Sequence, residues 1–229
     1  MPFIPNAEQI ARVTIKANGH PNLAEKFAVV IRFLALNPAS ASGRRRKNAP
    51  VVGTIEYIKA AAAVFANARA PKKPEPPATV PDEMVSFMLH HYFGIPEANL
   101  EHIKRDHLLS MAAENMVGDL LERYLAEGLE PAGWVWISGS LIKGADFLKP
   151  PSGNERKWFV LQVKNRDNSE NSSSSAIRVG TEIKKWFRTF SKKPGSNWDK
   201  FPDTVCRVGF SENGFRKFVK SHLRDLKAT

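Results

Sequence analysis

The sequence predicts an α/β (α+β) fold in which helices flank a mixed central β-sheet and a further helical region precedes that core. Three observations support this prediction. Apolar residues recur at helical spacing over most of the first 128 residues. After residue 130, short runs rich in aromatic and β-branched residues replace that pattern, which is typical of strands. Between the two helical regions, residues 70–81 contain five prolines and predict a semi-rigid extended linker.

The linker predicts a helical N-terminal domain over residues 1–70, a proline-rich connection over 71–81 and a larger core domain over 82–229. In the N-terminal domain, helical periodicity predicts helices over Ala7–Ala17, Asn22–Leu36 and Thr54–Arg69. Asn37-Pro38 ends the second helix, because proline disfavours helical backbone at the residue before it.

The core domain is predicted to begin with helices and to continue as strands interleaved with helices. Its first helices are predicted over Met84–Phe93 and His102–Glu127. The predicted strands are Trp134–Ile137, Ala145–Leu148, Lys157–Lys164 and, after an intervening helix over Ala176–Phe190, Thr204–Phe210. A basic helix over Glu212–Leu226 ends the chain. Helices alternating with strands in this way predict a mixed sheet.

Composition limits the class of protein. The 229 residues are 42% hydrophobic, which is enough to bury a sizeable core. A single cysteine, Cys206, rules out an intrachain disulfide and fits a reducing compartment. The N-terminus lacks the features of a signal peptide, and no apolar run approaches the roughly 20 residues of a membrane span. We therefore expect a soluble, cytoplasmic protein without a membrane partner.

The net charge of +11 is concentrated at the C-terminal end. Residues 1–150 hold 17 Lys/Arg against 15 Asp/Glu, whereas residues 151–229 hold 17 against 8, a net of +9. A basic lobe on a nearly neutral body is expected of a protein that binds a polyanion such as DNA. On charge alone, a solvated basic surface explains the same numbers equally well.

Three residues near the predicted strands form a candidate catalytic group. Asp146 lies near a strand end, and Gln162 and Lys164 follow on the next predicted strand. Residues at i and i+2 of a strand point to the same face, so a hairpin would bring all three together. A carboxylate and an amide oxygen suit Mg²⁺, and a lysine beside them can orient or deprotonate a water molecule. The competing interpretation is that Asp146 caps a turn and Lys164 faces solvent.

A third metal ligand is expected from the helix that precedes the strands. Glu122 and Glu114 are the candidates, and they lie roughly 80° apart around a helix of about 100° per residue. They therefore do not point equally at one site. We prefer Glu122, with Glu114 second, so the expected metal ligands are Asp146, Gln162 and Glu122.

This arrangement resembles the PD-(D/E)XK nuclease superfamily, which includes many type II restriction endonucleases. The matching pieces are Glu122 on a helix, Asp146 in the sequence GADF, and Gln162-Val163-Lys164 on the following strand. The resemblance covers about residues 105–210 and implies a restriction-endonuclease-like core. The chain departs from the pattern at Ala145, where the superfamily weakly keeps proline, and at Gln162, where Asp or Glu is usual. The second departure removes one negative charge, which makes a helix glutamate more important as a ligand.

The polar run after the third strand extends the resemblance. The sequence QVKNRDNSENSSSSAIR is similar to that of SinI-type restriction endonucleases, which act on GGWCC. This implies a bacterial homodimer that cleaves double-stranded DNA with Mg²⁺, leaves 5′ overhangs and is paired with a DNA methyltransferase. Arg, Asn and Ser are side chains that read bases and phosphates. The implied DNA contacts are Arg166, Asn168, Ser169, Asn171, Ser172 and Arg178.

Several alternatives stay open at this point. A repair or junction-resolving nuclease of the same superfamily would carry the same residues. A non-catalytic DNA-binding protein would keep only the basic lobe, and a toxin-like RNase would prefer RNA. The Ser/Asn-rich run is also compatible with a flexible linker. Trp186 and Phe187 could stack on a base, but we interpret them as residues that pack in the core.

Overall fold

The computed structural model describes residues 2–42, 49–80, 82–153, 157–167 and 183–228. Within these ranges the chain forms six α-helices and a four-stranded sheet. The helices are α1 (Ala7–Ala17), α2 (Ala24–Leu36), α3 (Ile55–Asn67), α4 (Glu83–His91), α5 (Glu97–Leu129) and α6 (Glu212–Ala228). The strands are β1 (Val135–Trp136), β2 (Phe147–Lys149), β3 (Phe159–Arg166) and β4 (Ile183–Thr189). The predicted class, helices around a mixed sheet, is confirmed.

The three N-terminal helices form where their apolar periodicity predicted them. Helix α3 begins after Thr54, whose side-chain oxygen accepts a hydrogen bond from the backbone N–H of Tyr57, an ordinary N-cap. Helix α2 begins at Ala24, two residues later than predicted, because a short 3₁₀ turn over Pro21–Leu23 precedes it. Together the three helices supply a continuous apolar surface.

The sheet is mixed, with strand order β1-β2-β3-β4. Strands β1, β2 and β3 pair antiparallel, with Trp136 opposite Phe147 and Phe147 opposite Leu161. Strand β4 then pairs parallel to β3, with Val163 opposite Trp186. This topology places β2 and β3 side by side, as the hairpin hypothesis for the candidate catalytic residues requires.

The sheet separates two apolar clusters, since successive strand residues point to opposite faces. Leu148 and Val160 pack on one face with α1, α2 and α3. Phe147, Leu161 and Val163 pack on the other with α5 and α6. The N-terminal helices therefore share a core with the sheet.

The linker begins directly after a segment of backbone that Arg123 holds in place. Residues 71–80 form no regular secondary structure and are mostly exposed. Just before them, the guanidinium of Arg123 donates hydrogen bonds to the backbone oxygens of Ala68, Arg69 and Ala70. The chain is thereby held at the point where it leaves α3. The division into domains at this linker stays a prediction. None of the described helices is long and apolar enough to cross a membrane.

Two predicted elements are wrong where the structure describes them. The predicted helix Ala176–Phe190 is a strand over Ile183–Thr189, and its earlier residues lie outside the described ranges. The seven residues Ile183–Thr189 are too few for periodicity to distinguish a strand from a helix. Parallel pairing with β3 from Val160 to Arg166 and the burial of Trp186, which is 2% exposed, favour the strand. The burial of Trp186 also confirms its role in the core.

The predicted strand Thr204–Phe210 is instead a 3₁₀ helix over Cys206–Gly209. The carboxylate of Asp203 accepts hydrogen bonds from the backbone N–H groups of Val205 and Cys206, which starts a helical turn. The apolar pattern misled the prediction, because Val205 and Val208 are exposed rather than packed on a neighbouring strand.

Candidate active site

Asp146 lies where β2 and β3 separate. The strands pair from Phe147 and Leu161 onward, and the backbone N–H of Asp146 adds a bond of 2.9 Å to the Leu161 oxygen. Continuing this register would place Ala145 opposite Val163, but β2 begins only at Phe147. The Val163 N–H therefore has a side-chain acceptor: it donates a hydrogen bond of 2.7 Å to Oδ2 of the Asp146 carboxylate. The carboxylate is therefore held directly beside β3, between Gln162 and Lys164.

Gln162 and Lys164 lie on the same face of β3. They alternate with Leu161 and Val163, whose side chains pack on the α5 face, so both point to the opposite side. Gln162 is only 3% exposed, and Lys164 is half-buried. The structure thus brings together the three residues that the sequence grouped.

Glu122 on α5 lies within electrostatic reach of Asp146 and Lys164. Its Oε2 accepts a hydrogen bond of 2.8 Å from the indole Nε1 of Trp136 on β1. Burial raises the pKa of Glu122 well above its usual range, and the Asp146 carboxylate raises it further. The Trp136 hydrogen bond and the charge of Lys164 act in the opposite direction. Glu122, Asp146 and Lys164 therefore lie close enough to influence one another electrostatically.

The pKa of the Asp146 carboxyl is raised as well. Burial raises the pKa of Asp146, against the lowering effects of the Val163 N–H and of Lys164. Two carboxylates in a partly buried site repel each other, and one lysine does not fully compensate them. A divalent cation between them would remove this repulsion.

The donor set suits a hard cation. Mg²⁺ usually takes one or two protein carboxylates and keeps several water molecules. Within the described ranges, no group of three or more His, Cys, Asp or Glu side chains could hold a metal ion. Asp146 and Glu122 supply two carboxylates, and the Gln162 amide oxygen supplies a neutral donor. These residues fit a magnesium ion with water ligands better than a closed site of protein ligands.

Glu114 lies elsewhere. It is about 12 Å from Glu122 along α5, at about 1.5 Å per residue, and it is exposed. It lines a polar cavity of about 610 Å³ together with Asn115, Asn165, Arg166 and Lys193. Of the two candidates, Glu122 is thus the helix carboxylate that the structure brings to Asp146.

The polar cavity also contains the one predicted DNA-binding residue that the structure describes, Arg166 at the end of β3. Asn168, Ser169, Asn171, Ser172 and Arg178 lie outside the described residues. Near Arg166, Arg188 donates to Asn165 Oδ1 at 2.9 Å and pairs with Glu212, so it ties β4 to β3 and α6. Lys193 adds a further positive charge to the cavity.

Trp136 is the residue at this site that the sequence did not indicate. Two guanidinium groups lie over its ring, with Arg69 at 5.0 Å and Arg123 at 5.3 Å from the ring centroid. Arg69 also donates to the Trp136 backbone oxygen at 2.8 Å. A buried indole usually finds an acceptor for its N–H. The sequence WVWI therefore held a weak signal that some acceptor had to be near.

Comparison with known proteins agrees with this geometry. Residues 7–225 match the family described as SinI restriction endonuclease. The chain is 52% identical to "Type II restriction enzyme SinI" from Salmonella infantis, over 98% of this chain and 97% of that protein. It is also 52% identical to "Type II restriction enzyme Eco47I" from Escherichia coli, over 96% of each chain. The chain therefore belongs to the SinI restriction endonuclease family and is a sequence-specific endonuclease that acts on double-stranded DNA.

Proposed function

We propose that this restriction enzyme hydrolyses phosphodiester bonds at GGWCC with Mg²⁺ as its metal ion, leaves 5′ overhangs and acts as a homodimer. The observation that carries the chemistry is that the Asp146 carboxylate lies beside Val163, between Gln162 and Lys164 in the sequence, and interacts electrostatically with Glu122 and Lys164. The target sequence rests on the resemblance to SinI-type enzymes. Type II restriction endonucleases generally use a divalent metal ion.

Asp146 and Glu122 would hold the metal ion, with Gln162 as the neutral donor. Bound there, Mg²⁺ would stabilise negative charge on the scissile phosphate and favour ionisation of a water molecule. The Val163 N–H fixes the Asp146 carboxylate, and the Trp136 indole fixes that of Glu122. These contacts hold both carboxylates in place before substrate binds, so little reorganisation is needed during the reaction.

Lys164 is proposed to act on the attacking water. Its ammonium group can orient that water or, once neutral, accept a proton at Nζ. In its charged form it also stabilises negative charge that develops on the phosphate oxygens. Each role concerns the transition state more than the binding of DNA, so loss of Lys164 should affect the rate of cleavage more than affinity.

The first experiment tests cleavage and specificity together. Linear duplexes containing GGACC or GGTCC should be cut with Mg²⁺ and left intact in EDTA. Duplexes with GGGCC or GGCCC should remain uncut. Sequencing the product ends gives the cut position. Cleavage at another sequence would refute the proposed target, and absence of cleavage with any divalent ion would refute the proposed chemistry.

The second experiment tests the role of Lys164. Lys164→Ala should abolish cleavage while specific binding of a GGWCC duplex, measured in Ca²⁺, stays within a few-fold of wild type. Lys200→Ala removes the same charge from an exposed residue and serves as the matched control. Wild-type cleavage by Lys164→Ala would remove this residue from the mechanism.

A partner methyltransferase and a bacterial cytoplasmic location complete the proposal. An active restriction enzyme damages unprotected host DNA, so expression should be tolerated only with a methyltransferase that modifies GGWCC. Transformation of cells with and without that activity tests this, and equal survival in both would contradict the pairing. The single cysteine and the DNA substrate support a location in the reducing cytoplasm.

A further inference from the structure

Helix α4 and the first half of α5 form a helical hairpin that we call the arm, residues 83–111. The turn between its helices is tight, since Gly94 has a φ of +68° and the backbone N–H of Ile95 donates to the Leu89 oxygen. The first buried residue of α5 is Ala112, and α4 has no buried residue. The fifteen α5 residues before Ala112 therefore extend about 22 Å beyond the core.

The arm carries most of the exposed apolar surface of the described residues. Eight of the fifteen exposed large hydrophobic side chains belong to it. These are Met84, Val85, Phe87, Met88, Tyr92, Phe93, Leu109 and Met111. Isolated helices shorter than about 12–15 residues are marginal in water. A nine-residue helix with no buried residue therefore needs a covering surface.

The charge of the arm argues against DNA as that covering surface. Residues 83–111 contain four acidic and two basic side chains, a net of −2 in a chain of net charge +11. Phosphate contacts come mainly from Lys and Arg, of which the C-terminal lobe has 17 and the arm only two. An apolar, acidic surface repels a polyanion and suits another protein surface.

We propose that the arm is a dimer interface, in which it packs against the same arm of a second copy of this chain. This inference rests on the proposed function, because cutting both strands of a duplex requires two active sites and each chain contributes one. A twofold dimer uses the same patch on both copies, so a single apolar arm is sufficient to form it.

The exposed aromatic rings supply much of the area that a stable dimer needs. Tyr92, Phe93 and Phe87 are 75%, 65% and 53% exposed, which together is about two full aromatic side chains. At about 150–250 Å² each, they contribute roughly 300–500 Å² per copy. A stable interface buries about 800 Å² per partner. The exposed methionines and leucine can supply much of the remainder.

The test compares two variants of the full chain with wild type by sedimentation velocity without DNA. The arm variant is Phe87→Glu/Phe93→Glu. The control is Val13→Glu/Leu36→Glu, which adds the same charge at similarly exposed apolar residues on α1 and α2. We expect dimers for wild type and control. The arm variant should dissociate at least about a hundredfold more readily, since interface aromatics dominate binding energy.

Hydrogen exchange provides a readout that needs no substitution. In wild type, the amides of residues 83–111 should gain protection as protein concentration rises and dimers form. Unchanged exchange in the arm of a dimeric protein would overturn the proposal. So would a dimer that the control breaks and the arm variant keeps, or a wild type that stays monomeric on its target DNA.

Cleavage assays separate this inference from the proposed function. A chain that dimerises through the arm and cuts no DNA would refute the function and leave the interface standing. An active enzyme whose arm variant keeps the wild-type dimer would refute the interface and leave the function standing.

Discussion

Replacing Trp136 with phenylalanine removes the hydrogen bond that holds Glu122 while keeping an aromatic ring in place. The indole Nε1 donates to Glu122 Oε2 at 2.8 Å. Phenylalanine has no donor, but its ring can still pack against Arg69 and Arg123. The substitution therefore tests whether Trp136 positions the proposed metal ligand or serves the core alone.

The expected magnitude follows from the type of bond. A hydrogen bond to a charged group contributes about 1.5–3 kcal/mol. Since about 1.4 kcal/mol corresponds to a factor of ten, its loss should weaken metal binding by roughly 10- to 100-fold. Removing an outer partner of a metal ligand commonly costs the same 10- to 100-fold in affinity or activity, by an order-of-magnitude rule.

The assay is the cleavage rate of a GGWCC duplex at saturating enzyme, measured against Mg²⁺ concentration. The Mg²⁺ concentration for half-maximal rate should rise about 10- to 100-fold in Trp136→Phe, and high Mg²⁺ should restore much of the rate. Trp134→Phe is the matched control. Trp134 is also buried on the same segment, and its Nε1 donates to the Asp203 carboxylate at 2.8 Å.

Both substitutions should lower the free energy of unfolding by similar amounts. Trp134→Phe should nevertheless keep the wild-type Mg²⁺ concentration for half-maximal rate. If Trp136→Phe responds to Mg²⁺ as wild type does, Trp136 does not position a metal ligand. Equal loss of metal affinity in both variants would show that the effect comes from packing.

Three further outcomes follow from the charges of the site and its supports. Glu122→Gln should abolish cleavage, whereas Glu114→Gln should retain it; the reverse result in the duplex assay would exchange their roles. Burial and Asp146 raise the pKa of Glu122 to about 8. A raised carboxyl pKa stabilises the fold below its ordinary value of about 4.3, and this contribution is lost as pH rises towards 8. Urea unfolding in EDTA should therefore show a smaller decline over that range in Glu122→Gln, and an unchanged decline would contradict the electrostatics. Burial would raise the pKa of Glu130, but the hydrogen bonds and charges of Arg69 and Lys26 together outweigh burial and lower the pKa. Its stabilisation is thus present above about pH 4.3 and lost at lower pH. Glu130→Ala should therefore cost about 1–3 kcal/mol at neutral pH, and the free energy of unfolding should fall less steeply in acid than it does for wild type.

The juxtaposition of Asp146, Gln162 and Lys164 was predictable because it depends on local rules. The two-residue period of a strand places Gln162 and Lys164 on one face, and a short connection makes an antiparallel neighbour of β2. From the sequence, Glu122 could be preferred over Glu114, but the sequence could not establish which of the two lies near Asp146. That depends on how α5 is rotated against the sheet, which its distant contacts determine.

Elements without a local rule were harder to predict. Ile183–Thr189 is a strand because β3 offers it a parallel partner, and the partner is 23 residues away in the sequence. Asp203 starts a helical turn in an apolar run that otherwise resembles a strand. In the arm, periodicity predicted the helices correctly but gave no indication that the core leaves them uncovered.

The bond between the Asp146 carboxylate and the Val163 N–H gives this residue a part in folding as well as in activity. Asp146→Ala, the usual inactive control, would also leave a backbone donor unsatisfied, at a cost of about 1–3 kcal/mol. Asp146→Asn keeps an acceptor for that donor and is the better inactive enzyme for structural work. During evolution, drift at this position is penalised twice, through lost restriction and through a loosened sheet. A decayed copy of the gene should therefore lose Lys164 before it loses Asp146.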